Sequence, residues 1–126
     1  MKTLIQELRG EHEVILNRLD QLEQALQSGD TGQIADFLDF LQTYVEERHH
    51  AKEERDLFPR MREDPFLAQI ADTLLEEHDD ARGMVEQMRS GGDPGELLAL
   101  YADNLRCHIA KENSMIFESA EHSLTR

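Results

Sequence analysis

Cysteine is nearly missing from this chain. Cys107 stands alone among 126 residues, so no internal disulfide framework exists and no set of thiolates can build a zinc site. Positive charge is scarce as well: 13 Lys and Arg stand against 27 Asp and Glu, a formal net charge of -14. That balance excludes the basic face a nucleic-acid partner needs and disfavours an anionic membrane surface. No apolar run reaches membrane length. Met1-Lys2-Thr3 leads straight into an amphipathic pattern, so no signal peptide is expected, and the lone cysteine points to a reducing cytoplasm. Strand signals are almost absent. What remains is an ordinary hydrophobic content of 39%, enough for one domain over 1–126 with a real core. The acidic excess reads as solvated outer helix faces.

The chain repeats itself. His49-His50-Ala51-Lys52-Glu53 and His108-Ile109-Ala110-Lys111-Glu112 share His-x-Ala-Lys-Glu, with Leu57-Phe58 and Ile116-Phe117 at the same offsets beyond. A fainter pair is Leu8-Arg9-Gly10-Glu11-His12 against Leu74-Leu75-Glu76-Glu77-His78. Each half therefore offers a lone histidine followed by a His-x-x-x-Glu pair.

Apolar periodicity of three and four covers most of the chain and predicts helices. Leu4, Leu8, His12, Ile15, Leu19, Leu22 and Leu26 form one seam, ended by Ser28-Gly29-Asp30-Thr31-Gly32. A second seam runs Ile34, Leu38, Leu41, Val45, His49, Glu53 and Leu57, and Pro59 should kink or stop it. Asp64-Pro65 opens a third, through Leu67, Ala71, Leu74, His78, Ala81, Val85 and Met88 to Ser90-Gly91-Gly92. Asp93-Pro94 reads as an N-cap with proline at the first helical position. The fourth seam is Leu97, Tyr101, Leu105, His108, Glu112 and Met115. The expected fold is all-α, an antiparallel up-down-up-down four-helix bundle.

His12, His49, Glu53, His78, His108 and Glu112 occupy core positions of these seams. Six polar residues there, each costing roughly 1–3 kcal/mol if buried without a partner, imply a cluster whose members satisfy one another or bind a cation. Helix geometry agrees. His12 and His49 each lie about 16 residues from the first turn, or ~24 Å, and His78 and His108 sit at matching heights around the last one. The spacing of four puts His49 with Glu53, and His108 with Glu112, on one face. His50 and Glu54 offer an equal spacing but are rotated ~100° from the seam, so they are expected on the outer face or behind the ligands. His122 lies too far along its helix to join.

Mixed imidazole and carboxylate ligation suits a pair of iron ions, with manganese as the alternative. Zinc would call for His-Glu-x-x-His or cysteines. A ferritin-type site would require Glu-x-x-His twice. Glu46-x-x-His49 fits, but Leu105 stands where the second glutamate belongs.

In order and spacing, His12, His49-x-x-x-Glu53 with Leu57-Phe58-Pro59 behind it, His78 and His108-x-x-x-Glu112 resemble the hemerythrin-like, or HHE cation-binding, family. The resemblance implies a four-helix bundle around a non-haem di-iron centre. It also implies Glu53 and Glu112 as bridging carboxylates, and binding of dioxygen, nitric oxide or a related small oxidant such as peroxide. Oxygen-carrying members have two histidines four apart on the third helix, whereas His78 has Leu74 and Arg82 at those offsets. The expected site is thus one imidazole short, with water, Glu77, Glu11 or nothing in its place. Such an open site would suit peroxide or nitric oxide chemistry better than reversible oxygen carriage. Tyr101 could face the centre, although a core role with a bonded hydroxyl is the simpler reading. Cys107 reads as packing.

Overall fold

Seams of this kind need one another, because each buries only one stripe of its helix. In a computed structural model, which describes residues 1–91 and 94–124, they close into a bundle of four helices with no strand among the described residues. The first helix is Lys2–Ser28. It stops at Gly29, whose left-handed φ of 71° lets its N–H reach the carbonyl of Ala25. Asp30 then accepts from the N–H of Gln33 and caps the second helix, which is helical throughout 31–61. Asp64 accepts from Phe66 and Leu67, with Pro65 behind it, and starts the third, Pro65–Arg89. The fourth spans 95–124. Pro94 sits at its cap rather than in its first turn, and the proposed cap Asp93 lies outside the described residues.

Two helices depart from regular α geometry at the repeated motif. In the second, Leu41–His50 and Glu53–Leu57 form wide π-turns: the N–H of Ala51 reaches Glu46 and that of Phe58 reaches Glu53, five residues back. In the fourth, Glu112–Ile116 does the same, with the N–H of Phe117 on Glu112. Each extra residue per turn lets two neighbours share the inner face. Leu57 and Phe58 are thus both buried, as are Ile116 and Phe117. Met115, expected in the fourth seam, is turned out and 62% exposed. The second helix ends at Met61, two residues beyond Pro59, near where the proline was expected to kink or stop it.

Side chains tie the helices at several heights. Arg9 meets Asn113 and Arg106 meets Asp20 between the first and fourth. Arg89 meets Asp39 and Arg62 meets Asp72 between the second and third. The apolar core is divided. One cluster, including Ile15, Leu19, Leu41, Val45, Val85 and Leu105, fills one end. The other, including Ile5, Leu8, Leu57, Phe58, Met61 and Phe117, fills the opposite end. At ~1.5–3 kcal/mol for each large side chain buried, these two clusters stabilise the bundle on either side of the layer between them.

Candidate metal centre

That layer is polar. Glu11, His12, Glu46, His49, His50, Glu53, His78, His108 and Glu112 are all buried, with Glu53, Glu112 and His12 wholly so. The structure brings together all six residues singled out by the seams and adds His50. Two groups of donor atoms form, each within 4.8 Å: His50, Glu53, His78 and His108 in one, and His12, His49, Glu53 and Glu112 in the other. Glu53 belongs to both.

His50 corrects the sequence reading. It does not point outward but is 2% exposed, because the π-turns let consecutive residues 49 and 50 both face in. A fifth imidazole thus enters the layer from the second helix rather than the third. Leu74 stays in the apolar cluster. Glu11 and Glu77, considered as replacement ligands, instead face the far sides of histidine rings.

Every ring is held by its Nδ1. His49 donates to Glu11 at 2.8 Å, His50 to Glu46 at 2.7 Å, His78 to Glu54 at 2.8 Å and His108 to Glu77 at 2.8 Å. His12 donates to the amide oxygen of Asn113 at 2.8 Å. An Nδ1–H that is spoken for leaves Nε2 as a bare lone pair, and this is how protein-bound metals receive histidine. The five Nε2 atoms converge on the carboxylates. His12 Nε2 lies 3.1 Å from Glu112 Oε1, His78 Nε2 lies 3.2 Å from Glu53 Oε1, and His78 and His108 Nε2 atoms face each other at 3.3 Å. Nε2 of His12, His49 and His50 and both oxygens of Glu53 and Glu112 have no hydrogen bond. A buried nest so rich in acceptors repels itself, and cations would resolve the repulsion.

Electrostatics lead to the same conclusion. Burial pushes Glu53 well above the usual carboxylate range, and the Glu112 carboxylate beside it adds to this. Burial also opposes charge on Glu112, but contacts with Glu53 and His108 outweigh it and hold that group well down. Burial and neighbouring rings depress His50, and they depress His78 to about 2, so both are neutral and fit to ligate. Burial opposes charge on His108 too, but Glu112 and Glu77 raise it to about 9. The surroundings thus favour positive charge there.

A family profile described as "Hemerythrin HHE cation binding domain" matches residues 3–120. The chain belongs to the hemerythrin family. Neither the curated proteins nor the solved structures compared with it gave a match. The cation implied by the hemerythrin domain fits the nest of acceptors, and its His and Glu groups could hold a metal ion.

Supports that the seams did not reveal surround this hemerythrin site. Lys52 reaches Glu11 at 2.5 Å and Lys111 reaches Glu77 at 2.5 Å. Arg82 pairs with Glu54 and lies 3.5 Å from Glu46. The repeated Lys52 and Lys111 were a visible signal; Arg82 carried none. Burial raises Glu46 to about 7. Beside it the buried Tyr101 hydroxyl interacts with the Glu46 carboxylate. A cavity of about 230 Å³ reaches His50, His78 and His108 past Ala81, Met84, Tyr101 and Leu105. Cys107 lines it and is exposed, not packed in the core.

Proposed function

We propose that this chain is a single-domain, non-haem di-iron protein that binds dioxygen, nitric oxide or a related small oxidant for carriage, sensing or detoxification. The observation that carries this reading is the sharing of Glu53 between two groups of four donors, the arrangement a bridging carboxylate needs. His12, His49, Glu53 and Glu112 would hold one ion, and His50, Glu53, His78 and His108 the other. Mixed nitrogen and oxygen donors favour iron, or manganese, over a softer or tetrahedral ion. Four protein donors leave room for a small exogenous ligand on an ion that prefers six, and iron supplies reversible electron transfer to such a ligand. The cavity beside His50, His78 and His108, with apolar walls at Ala81, Met84 and Leu105, suits a small uncharged molecule.

The pairings Arg89–Asp39 and Arg62–Asp72, each joining the late end of one of the second and third helices to the early part of the other, support antiparallel packing of this pair, as an up-down-up-down course requires. A reducing compartment, the cytoplasm, is proposed from the single exposed Cys107. No helix among the described residues is long and apolar enough to cross a membrane.

A second reading, an iron-dependent enzyme that consumes peroxide or nitric oxide, draws on the size of the cavity, which exceeds what a diatomic molecule fills. The test is common to both. Elemental analysis of protein purified without chelator should give two irons per chain. Nitric oxide and dioxygen should each change the visible spectrum of the loaded protein. No response to either gas would reject the binding reading, and peroxide turnover abolished by His108→Ala would select the enzyme.

A further inference from the structure

The duplication extends past the metal-facing residues; Ile109 and Leu105 break it where His50 and Glu46 stand, and Asn113 breaks it behind a histidine ring. Glu11-His12 on the first helix corresponds to Glu77-His78 on the third, and Lys52-Glu53-Glu54 on the second to Lys111-Glu112-Asn113 on the fourth. The contacts follow suit. Lys52 holds Glu11, which holds His49; Lys111 holds Glu77, which holds His108. Glu54 accepts from Nδ1 of His78 at 2.8 Å, and Asn113, in the corresponding place, accepts from Nδ1 of His12 at 2.8 Å. The distance is kept but the charge is not.

A carboxylate behind an imidazole makes it a stronger donor than a neutral amide does, because the partial charge gained by the ring on ligation is stabilised by the anion. The rings of His50, His78 and His108 are all backed by carboxylates, and Arg82 or Lys111 steadies each of those carboxylates. In the other group only His49 has this support. Arg9 lies beside Asn113 but donates to its backbone carbonyl, 3.0 Å away.

We infer that Asn113 leaves His12 a weaker donor than the carboxylate-backed rings, so that the position of His12 and His49, which also has one imidazole fewer, is the weaker, filling second and emptying first. This rests on the reading of the site as a two-ion centre. It gives the chain one firmly held ion and one exchangeable ion.

Cobalt(II) titration of the metal-free full chain, followed by visible absorption and calorimetry, tests the inference. Two separate steps are expected, with the weaker lost in His12→Gln. Asn113→Asp is nearly isosteric and places its carboxylate next to Arg9. It should tighten the weaker step by roughly tenfold or more and leave the tighter step unchanged. Glu54→Gln should weaken the tighter step by roughly ten- to hundredfold. Urea midpoints of the metal-free variants report whether folding is intact. Two equal steps in the parent chain, or a weaker step unmoved by Asn113→Asp, would overturn the inference while leaving the two-ion centre standing. A parent chain that takes up no cobalt would overturn the two-ion reading and this inference together.

Discussion

His50 and His78 stack face to face, with ring centroids 3.8 Å apart and planes inclined by 14°. One ring comes from a π-turn of the second helix and the other from a regular stretch of the third. Each is anchored from behind by its own glutamate, Glu46 or Glu54, and Arg82 lies against both. The stack locks two helices in register and aims two Nε2 atoms into one space.

His50→Ala should therefore lower iron content as sharply as His49→Ala does. Each removes one ring from a different group of four donors. Elemental analysis of the two variants checks this, and unchanged iron in His50→Ala would place that ring outside the centre.

Removal of the metal should lower the melting temperature clearly. Glu53 and Glu112 are fully buried and their oxygens lack hydrogen bonds, so the metal-free core holds unsatisfied acceptors. An ion at 100 times its dissociation constant adds about 2.7 kcal/mol by mass action. Calorimetric scans with and without iron measure the difference; coincident curves would contradict a core site.

Arg82→Ala should weaken metal binding by roughly ten- to hundredfold, since Glu46 and Glu54 lose the cation that steadies them behind His50 and His78. Arg89→Ala, which breaks only an exposed pair with Asp39, should leave binding unchanged and cost under about 1 kcal/mol of stability. Metal titrations of both variants distinguish orientation of the ligands from general charge loss.

Ala81→Phe should fill part of the cavity next to His50, His78 and His108. Iron content should stay at the parental value while the rate of nitric oxide binding, followed by stopped-flow absorption, falls several-fold. An unchanged rate would mean that small molecules arrive by another path.

The π-turn in the fourth helix is tested by stability alone. Met115→Lys should be nearly neutral, because the side chain is already in water. Ile116→Ala, at a 5% exposed position, should cost about 2–5 kcal/mol. Urea unfolding of the metal-free protein reads both. A large loss from Met115→Lys would restore the regular α register.

The amino-acid sequence by itself determined the helical class, the duplication and six of the seven side chains in the two donor groups. These are local facts: apolar residues recurring every three or four positions, turn residues between them, and histidine or glutamate where leucine belongs. Tertiary structure alone decided the place of His50. A regular helix turns residue 50 away from residue 49. Only hydrogen bonds five residues back, as from Ala51 to Glu46, widen the helix enough to present both, and no residue type announces such a turn. The partners behind the other four rings were equally hidden; only His50 uses a residue of its own helix, Glu46. His78 finds Glu54 across 24 residues, His108 finds Glu77 across 31 and His12 finds Asn113 across 101. Those pairings exist only once packing has set the heights of four helices, and spacing within one helix could not specify them.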